Sequence, residues 1–217
     1  MTNPLLEMKG LPPFSQIKPE HVEPAMDTLL AEAREQVKTL LKQDHYTWDN
    51  FIQPLEEMDD RISRAWSPVS HMNSVVNSDE LREAYNACLP KISEYSTEMG
   101  QNRALYDAYK AIADSDEYSK LDKAQQKIID NAIRDFHLSG VDLPEDKKKR
   151  YGEIKQQLSK LTTRFEENLM DATQAWEKHI NDQSELAGLP ESAMSMAKQA
   201  AEAKDLDGWL FNLEFPS

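Results

Sequence analysis

Ile154-Lys155-Gln156-Gln157-Leu158-Ser159-Lys160-Leu161-Thr162-Thr163-Arg164-Phe165-Glu166-Glu167-Asn168-Leu169-Met170-Asp171-Ala172 lies in a stretch from Pro144 to about Ile180 with Gly152 as its one weak breaker. Ile154, Leu158, Leu161, Phe165, Leu169, Ala172 and Trp176 step mostly by three and four, which places them on one helical face. At 1.5 Å per residue, ~36 residues would span roughly 54 Å. A compact chain of this size has a diameter of about 44 Å. The helix is therefore kinked, or the domain is elongated, or the helix leans on something outside this chain.

The same spacing recurs upstream. Val22, Ala25, Met26, Leu29, Leu30, Ala33, Val37 and Leu40 predict a helix that starts near Pro19, a residue suited to a first turn. Thr47 is a good N-cap for a second helix with the stripe Phe51, Ile52, Leu55, Met58, Ile62, Ala65 and Trp66, which Pro68 should kink or end. A third carries Leu81, Ala84, Tyr85, Cys88 and Ile92, with a bend expected at Pro90. A fourth runs roughly from Arg103 to Ala113. A fifth runs from Asp122 to Leu138, and Gly140 is its left-handed stop. A short helix is expected within Pro190 to Lys204. Ahead of them all, the proline-bearing arm Met1 to Ile17 should lie against a surface through Leu5, Leu6, Leu11 and Phe14.

After the turn signal Asp207-Gly208, the segment Trp209 to Phe215 alternates apolar and polar from Phe211 onward, as a half-buried strand does. A lone strand needs a partner for its backbone groups. No other segment reads as that partner, so the pairing strand is expected beyond this chain. The fold class that results is mainly α: an elongated multi-helix bundle with long helices and a short C-terminal β-strand. Its divisions are an extended arm over 1–17, a helical domain over 18–205, and the start of a strand over 206–217.

Of 217 residues, 39 are Asp or Glu and 25 are Lys or Arg, a net charge of −14. That argues against nucleic-acid binding, which needs a cationic surface to displace counterions, and against adhesion to anionic lipid. No apolar run approaches the ~20 residues of a membrane span, and the opening residues have no basic-then-apolar pattern of a signal peptide. A soluble cytoplasmic protein is the expectation. Cys88 is a lone cysteine, read as a small helix-face hydrophobe.

Catalytic patterns fail to assemble. Of the histidines His21, His45, His71, His137 and His179, no two stand three or four apart, and no His-Glu-x-x-His or Glu-x-x-His occurs. His179 and Asp182 are read as an exposed polar pair. The six glycines form no phosphate loop and no Gly-x-Ser-x-Gly elbow. Glu56 and Asp60 are ordinary helix-surface carboxylates. Trp66 and Trp176 are read as core. The run Glu145 to Arg150 is read as a solvated helix start. No catalytic, cofactor-binding or metal-binding residue is assigned to this chain.

The sequence nevertheless resembles a known family. The resemblance lies in Met1-Thr2-Asn3-Pro4-Leu5-Leu6 and Leu11-Pro12-Pro13-Phe14-Ser15-Gln16-Ile17-Lys18-Pro19-Glu20-His21-Val22-Glu23-Pro24-Ala25. It continues in Ser67-Pro68-Val69-Ser70-His71-Met72-Asn73-Ser74-Val75, Leu81-Arg82-Glu83-Ala84-Tyr85 and Asp130-Asn131-Ala132-Ile133-Arg134-Asp135-Phe136. Arg150-Tyr151-Gly152-Glu153-Ile154 and Asn168-Leu169-Met170-Asp171-Ala172-Thr173 complete it. These segments, spread over essentially the whole chain, resemble the N-terminal region of the thimet-oligopeptidase-like zinc metallopeptidases.

The resemblance implies a peptide hydrolase about three times this length. Its zinc is held by a His-Glu-x-x-His helix and a later glutamate, far beyond the last residue here. It further implies that this segment is one wall of a narrow channel admitting short peptides, inactive alone and binding no zinc itself. An unpaired strand edge and an apolar face meant for the missing part would favour self-association. The alternative is a stand-alone helical peptide- or protein-binding module without catalysis.

Overall fold

A computed structural model describes residues 3–213. Among them are seven α-helices and two short strands, so the chain is mainly α. It divides into two compact units, Met1–Ser159 and Lys160–Ser217.

The first unit is built on α1 (Pro19–Leu40), α2 (Gln53–Val75), α3 (Asp79–Gly100), α4 (Arg103–Ala113) and α5 (Lys123–Leu138). On α1 every residue from Val22 through Val37 in the expected apolar stripe is buried, and Leu40 is half-buried at its end. This face packs against α2 and α3, while α4 packs on α5. The core between them holds Phe51, Met26, Leu30, Ile52, Ile112 and Ile129. Aromatic rings interlock at its edge. Phe51 meets Tyr109 edge-on at 6.0 Å, and Tyr109 meets Phe136 at 5.5 Å.

Local chemistry sets the helix ends. The Asn50 amide donates to Thr47 Oγ1 at 3.2 Å, and the Thr47 amide donates to Asn50 Oδ1 at 2.8 Å. The cap is where the sequence places it, but a wide π turn, Trp48–Ile52, comes before α2, closed by the Gln53 amide on the Trp48 carbonyl. Asp122 and Gln125 cap α5 reciprocally. At its other end Gly140 has φ +86°, the Val141 amide donates to the Phe136 carbonyl at 3.1 Å, and the Gly140 amide donates to His137 at 3.0 Å. That is a Schellman ending, with Val141 buried behind it.

Pro68 does not end its helix: α2 runs on to Val75, and α3 likewise passes through Pro90 to Gly100. A proline forfeits one backbone bond, but Pro68 and Val69 are buried and Trp66 stacks on Tyr85 at 4.8 Å, so packing holds the helix across the gap. In the arm, Leu5 is buried and Leu6 half-buried, whereas Leu11 is 91 % exposed.

The long helix α6 is Glu145–Ala175 and buries none of its residues. It is shorter than the apolar stripe predicts. Glu177–Ile180 leaves the helix to form strand β1, antiparallel to β2, Trp209–Asn212, with Glu177 opposite Asn212 and Ile180 opposite Trp209. Two expectations are corrected here. The partner of the C-terminal strand lies within the chain, and Trp176 is a 43 % exposed residue after the helix, not core. The reason is non-local. Glu177-Lys178-His179 carries no strand signature, and its conformation comes from the hydrogen-bonding edge that β2 offers. Phe211 and Leu213 of the expected alternation are described; Glu214 and Phe215 lie outside the described residues.

In this second unit α7, Glu191–Glu202, packs on β2. Ile180, Leu186, Ala197, Ala201 and Leu210 form its small core. The helix ends with Asp205 at φ +56°, the Leu206 amide donating to Ala201 at 2.9 Å and the Asp205 amide to Glu202 at 3.1 Å.

Candidate functional site

Of the histidines, the first residues a metal would need, His21, His71, His137 and His179 are engaged elsewhere. His21 Nδ1 accepts from the Lys18 amide at 3.1 Å at the start of α1. The His71 ring lies 5.8 Å from Phe14. His137 contacts Asp142 through Nδ1 and the Tyr106 hydroxyl through Nε2 at 3.3 Å, close to the α5 stop. His179 Nε2 meets the Asp207 carbonyl at 2.5 Å, while Asp182 accepts from the Ser184 amide at 2.9 Å. His179 and Asp182 therefore face separate partners. Among the described residues no three His, Cys, Asp or Glu side chains converge as a metal set would. The residues present do not fit a zinc ion.

Cys88 is fully buried on α3. Burial pushes its thiol up to about 11, against the opposing pull of Lys91. A thiolate nucleophile is scarce at neutral pH under those conditions. The Glu145 to Arg150 run is a solvated helix start paired with nearby acids: Lys148 to Glu145 at 3.3 Å and Arg150 to Glu153 at 3.0 Å. Asp60 pairs with Arg64 at 3.7 Å, and Tyr85 is half-buried under Trp66.

What the structure does present is surface. Ile154, Leu158, Leu161, Phe165 and Leu169 on α6 are 41 %, 54 %, 64 %, 69 % and 58 % exposed. Exposed apolar side chains scattered singly are ordinary, but here they recur on one helical face, which signals an interaction surface. The sequence shows the stripe; it does not show that no described residue covers it. Sequence reasoning missed another feature altogether, a cavity of about 350 Å³ inside the first unit with Asp59 and Tyr95 on its wall. Those two residues stand 36 positions apart on different helices and share no motif. No helix among the described residues is long and apolar enough to cross a membrane.

Residues 26–148 match the family described as Neurolysin/Thimet oligopeptidase, N-terminal domain. The chain belongs to that family, as an N-terminal helical domain. Its full length is 57 % identical, over 217 residues, to the oligopeptidase A of Haemophilus influenzae, of which it covers 32 %. It is 54 % identical over 218 residues to that of Escherichia coli, again covering 32 %. Against the probable cytosolic oligopeptidase A of Arabidopsis thaliana it is 35 % identical over 223 residues and covers 32 %. The chain thus spans about a third of the length of these relatives.

Proposed function

We propose that this chain forms the helical wall of the substrate channel in an oligopeptidase A-like zinc metalloendopeptidase that hydrolyses short peptides in the cytoplasm. The observation that carries the reading is the uncovered α6 face, in a chain matching only a third of its relatives. A helix with no buried residue gains little from packing, and most helical stability comes from packing an apolar face. That face is suited to packing against the rest of such an enzyme. The helical region of residues 18–205 then supplies shape, and the zinc and its ligands come from polypeptide outside the matched third. The arm over residues 1–17 braces this wall through Leu5, and the segment over 206–217 leads toward the catalytic part. The uncovered face also supports self-association of the isolated chain.

The alternative reading, a stand-alone helical binding module, draws on the β1–β2 pairing, which closes the second unit's sheet within the chain. One experiment separates the two. The 217-residue chain is mixed with zinc and a quenched fluorescent peptide, alone and with the remaining two thirds of the Haemophilus influenzae relative. Turnover only in the mixture is the expected result. Turnover by the purified chain alone, or no association and no turnover in the mixture, would overturn the proposal.

A further inference from the structure

Between Ile154 and Phe165, α6 carries Lys155, Lys160 and Arg164 and no acidic residue. The wider stretch 147–164 holds seven lysines or arginines against one acid, Glu153, a charge of +6 inside a chain of net −14. Near the start of the helix two of these cations are neutralised by neighbours, Lys148 by Glu145 at 3.3 Å and Arg150 by Glu153 at 3.0 Å. Lys155, Lys160 and Arg164 are exposed and form no ion pair among the described residues.

Helix geometry sets these three beside the exposed apolar stripe. At about 100° per residue, Ile154, Leu158, Leu161 and Phe165 fall in a band about 60° wide. Lys155 lies off one edge of that band and Arg164 off the other, with Lys160 beyond Arg164. A solvated helix alternates the signs of its charges; an apolar band edged by one sign reads as a docking helix.

The edges select what can cover the band. A basic surface would be repelled, and an uncharged one would desolvate the cations without a counter-charge. A second copy laid face to face would set cationic edges against themselves. An anionic lipid surface suits the edges, but the rest of the chain is more acidic still than the net −14 and is repelled by it. An apolar groove rimmed with Asp and Glu meets both the band and its edges.

We propose that the partner of the α6 face is an apolar groove edged with carboxylates, carried by the part of the enzyme outside the matched third, and that Lys155, Lys160 and Arg164 select it. This rests on the channel-wall reading above and adds the chemistry of the surface that α6 meets. At long range the cations steer a negative surface toward α6, an effect that salt screens. In contact they hold the register of the groove along the helix, as flanking charges do in helix pairs.

The test is calorimetric titration of the 217-residue chain with two synthetic amphipathic helices of equal length and identical leucine face, one flanked by glutamate and one by lysine. The net charge of −14 attracts the lysine helix and repels the other, so preference for glutamate can arise only at a local cationic face. Expected are at least about tenfold tighter binding of the glutamate helix in about 50 mM NaCl and loss of that preference in about 500 mM. The preference should also vanish at low salt in Lys155→Gln/Lys160→Gln/Arg164→Gln, whose fold is checked by circular dichroism and melting. Equal binding of the two helices, tighter binding of the lysine helix, a preference that survives the triple substitution, or no saturable binding of the glutamate helix at about 1 mM would each overturn the inference. So would adsorption of the parent, lost in the folded variant, to phosphatidylcholine vesicles holding about one-fifth phosphatidylserine, because the cations would then serve a lipid surface. These outcomes leave the channel-wall reading in place; it stands or falls on turnover in the mixture with the relative's remaining two thirds.

Discussion

Lys91 Nζ lies 2.6 Å from Asp27 Oδ1, and it reaches Glu23 Oε1 at 2.7 Å as well, so one ammonium on α3 bridges two carboxylates a turn apart on α1. Those hydrogen bonds raise the Lys91 pKa above the ordinary lysine range. A lysine raised on folding lends stability that is fully present below its unfolded pKa and is lost as pH climbs through the folded one. Lys91→Met should therefore cost about 0.5–1 kcal/mol at pH 7, modest because all three side chains meet solvent. Urea unfolding at pH 7 and again above pH 11 checks it: the gap between variant and parent should close at the alkaline end.

Asp59 shows the same slope at lower pH, but as a cost at neutrality. Burial, with Glu56 beside it, raises its carboxyl to about 6, so between about pH 4 and 6 the folded chain holds a proton that the unfolded chain releases. Stability should fall as pH rises through that window. Asp59→Asn should have a higher urea midpoint than the parent at pH 7 and match it near pH 4. Equal midpoints at pH 7 would contradict that burial.

Tyr95→Phe removes a buried hydroxyl with no partner and leaves the Tyr95 ring's place filled. The expected outcome is a gain of up to about 1 kcal/mol in thermal or urea unfolding, against the usual loss when a buried hydroxyl is deleted.

The glycines at positive φ separate conformational cost from collision. Gly10 has φ +83° and open space around it, whereas a Cβ on Gly140, at φ +86°, would meet Leu143 Cδ1 at 2.6 Å. Gly10→Ala should cost about 1 kcal/mol from backbone conformation alone. Gly140→Ala should cost more, about 2–3 kcal/mol, because the Schellman turn and Leu143 must both shift. Melting curves for the two variants give the comparison.

On α6, Leu161→Glu with Phe165→Glu tests the uncovered face. Both side chains are more than 60 % exposed, so unfolding of the 217-residue chain should change by no more than about 0.5 kcal/mol. Association with the remaining two thirds of the Haemophilus influenzae relative should be lost. Sedimentation of the mixture reads that directly.

Much of this structure is local enough to be legible. The stripe from Val22 to Val37, the cap at Thr47 and the stop at Gly140 depend on residues within a few positions of one another, and each falls where the sequence places it. Family membership was legible too, as segments spread along the whole chain. The strand that the sequence hid and the helix that continues past a proline share one cause. Pro68 keeps its helix because Trp66 finds Tyr85, and Glu177–Ile180 becomes a strand because Trp209–Asn212 lies beside it. Neither partner is near in sequence.

By itself, then, the sequence determined the helical class, the positions of α1 to α5, the strand at Trp209 and the family, because periodicity, capping and turn chemistry act over a turn or two of chain. Tertiary structure alone decided the pairing of β1 with β2, the exposure of the α6 stripe, and the meeting of Asp59 with Tyr95 around one cavity. Those depend on which surfaces find partners after folding, and residues far apart in the chain carry no local mark of that outcome.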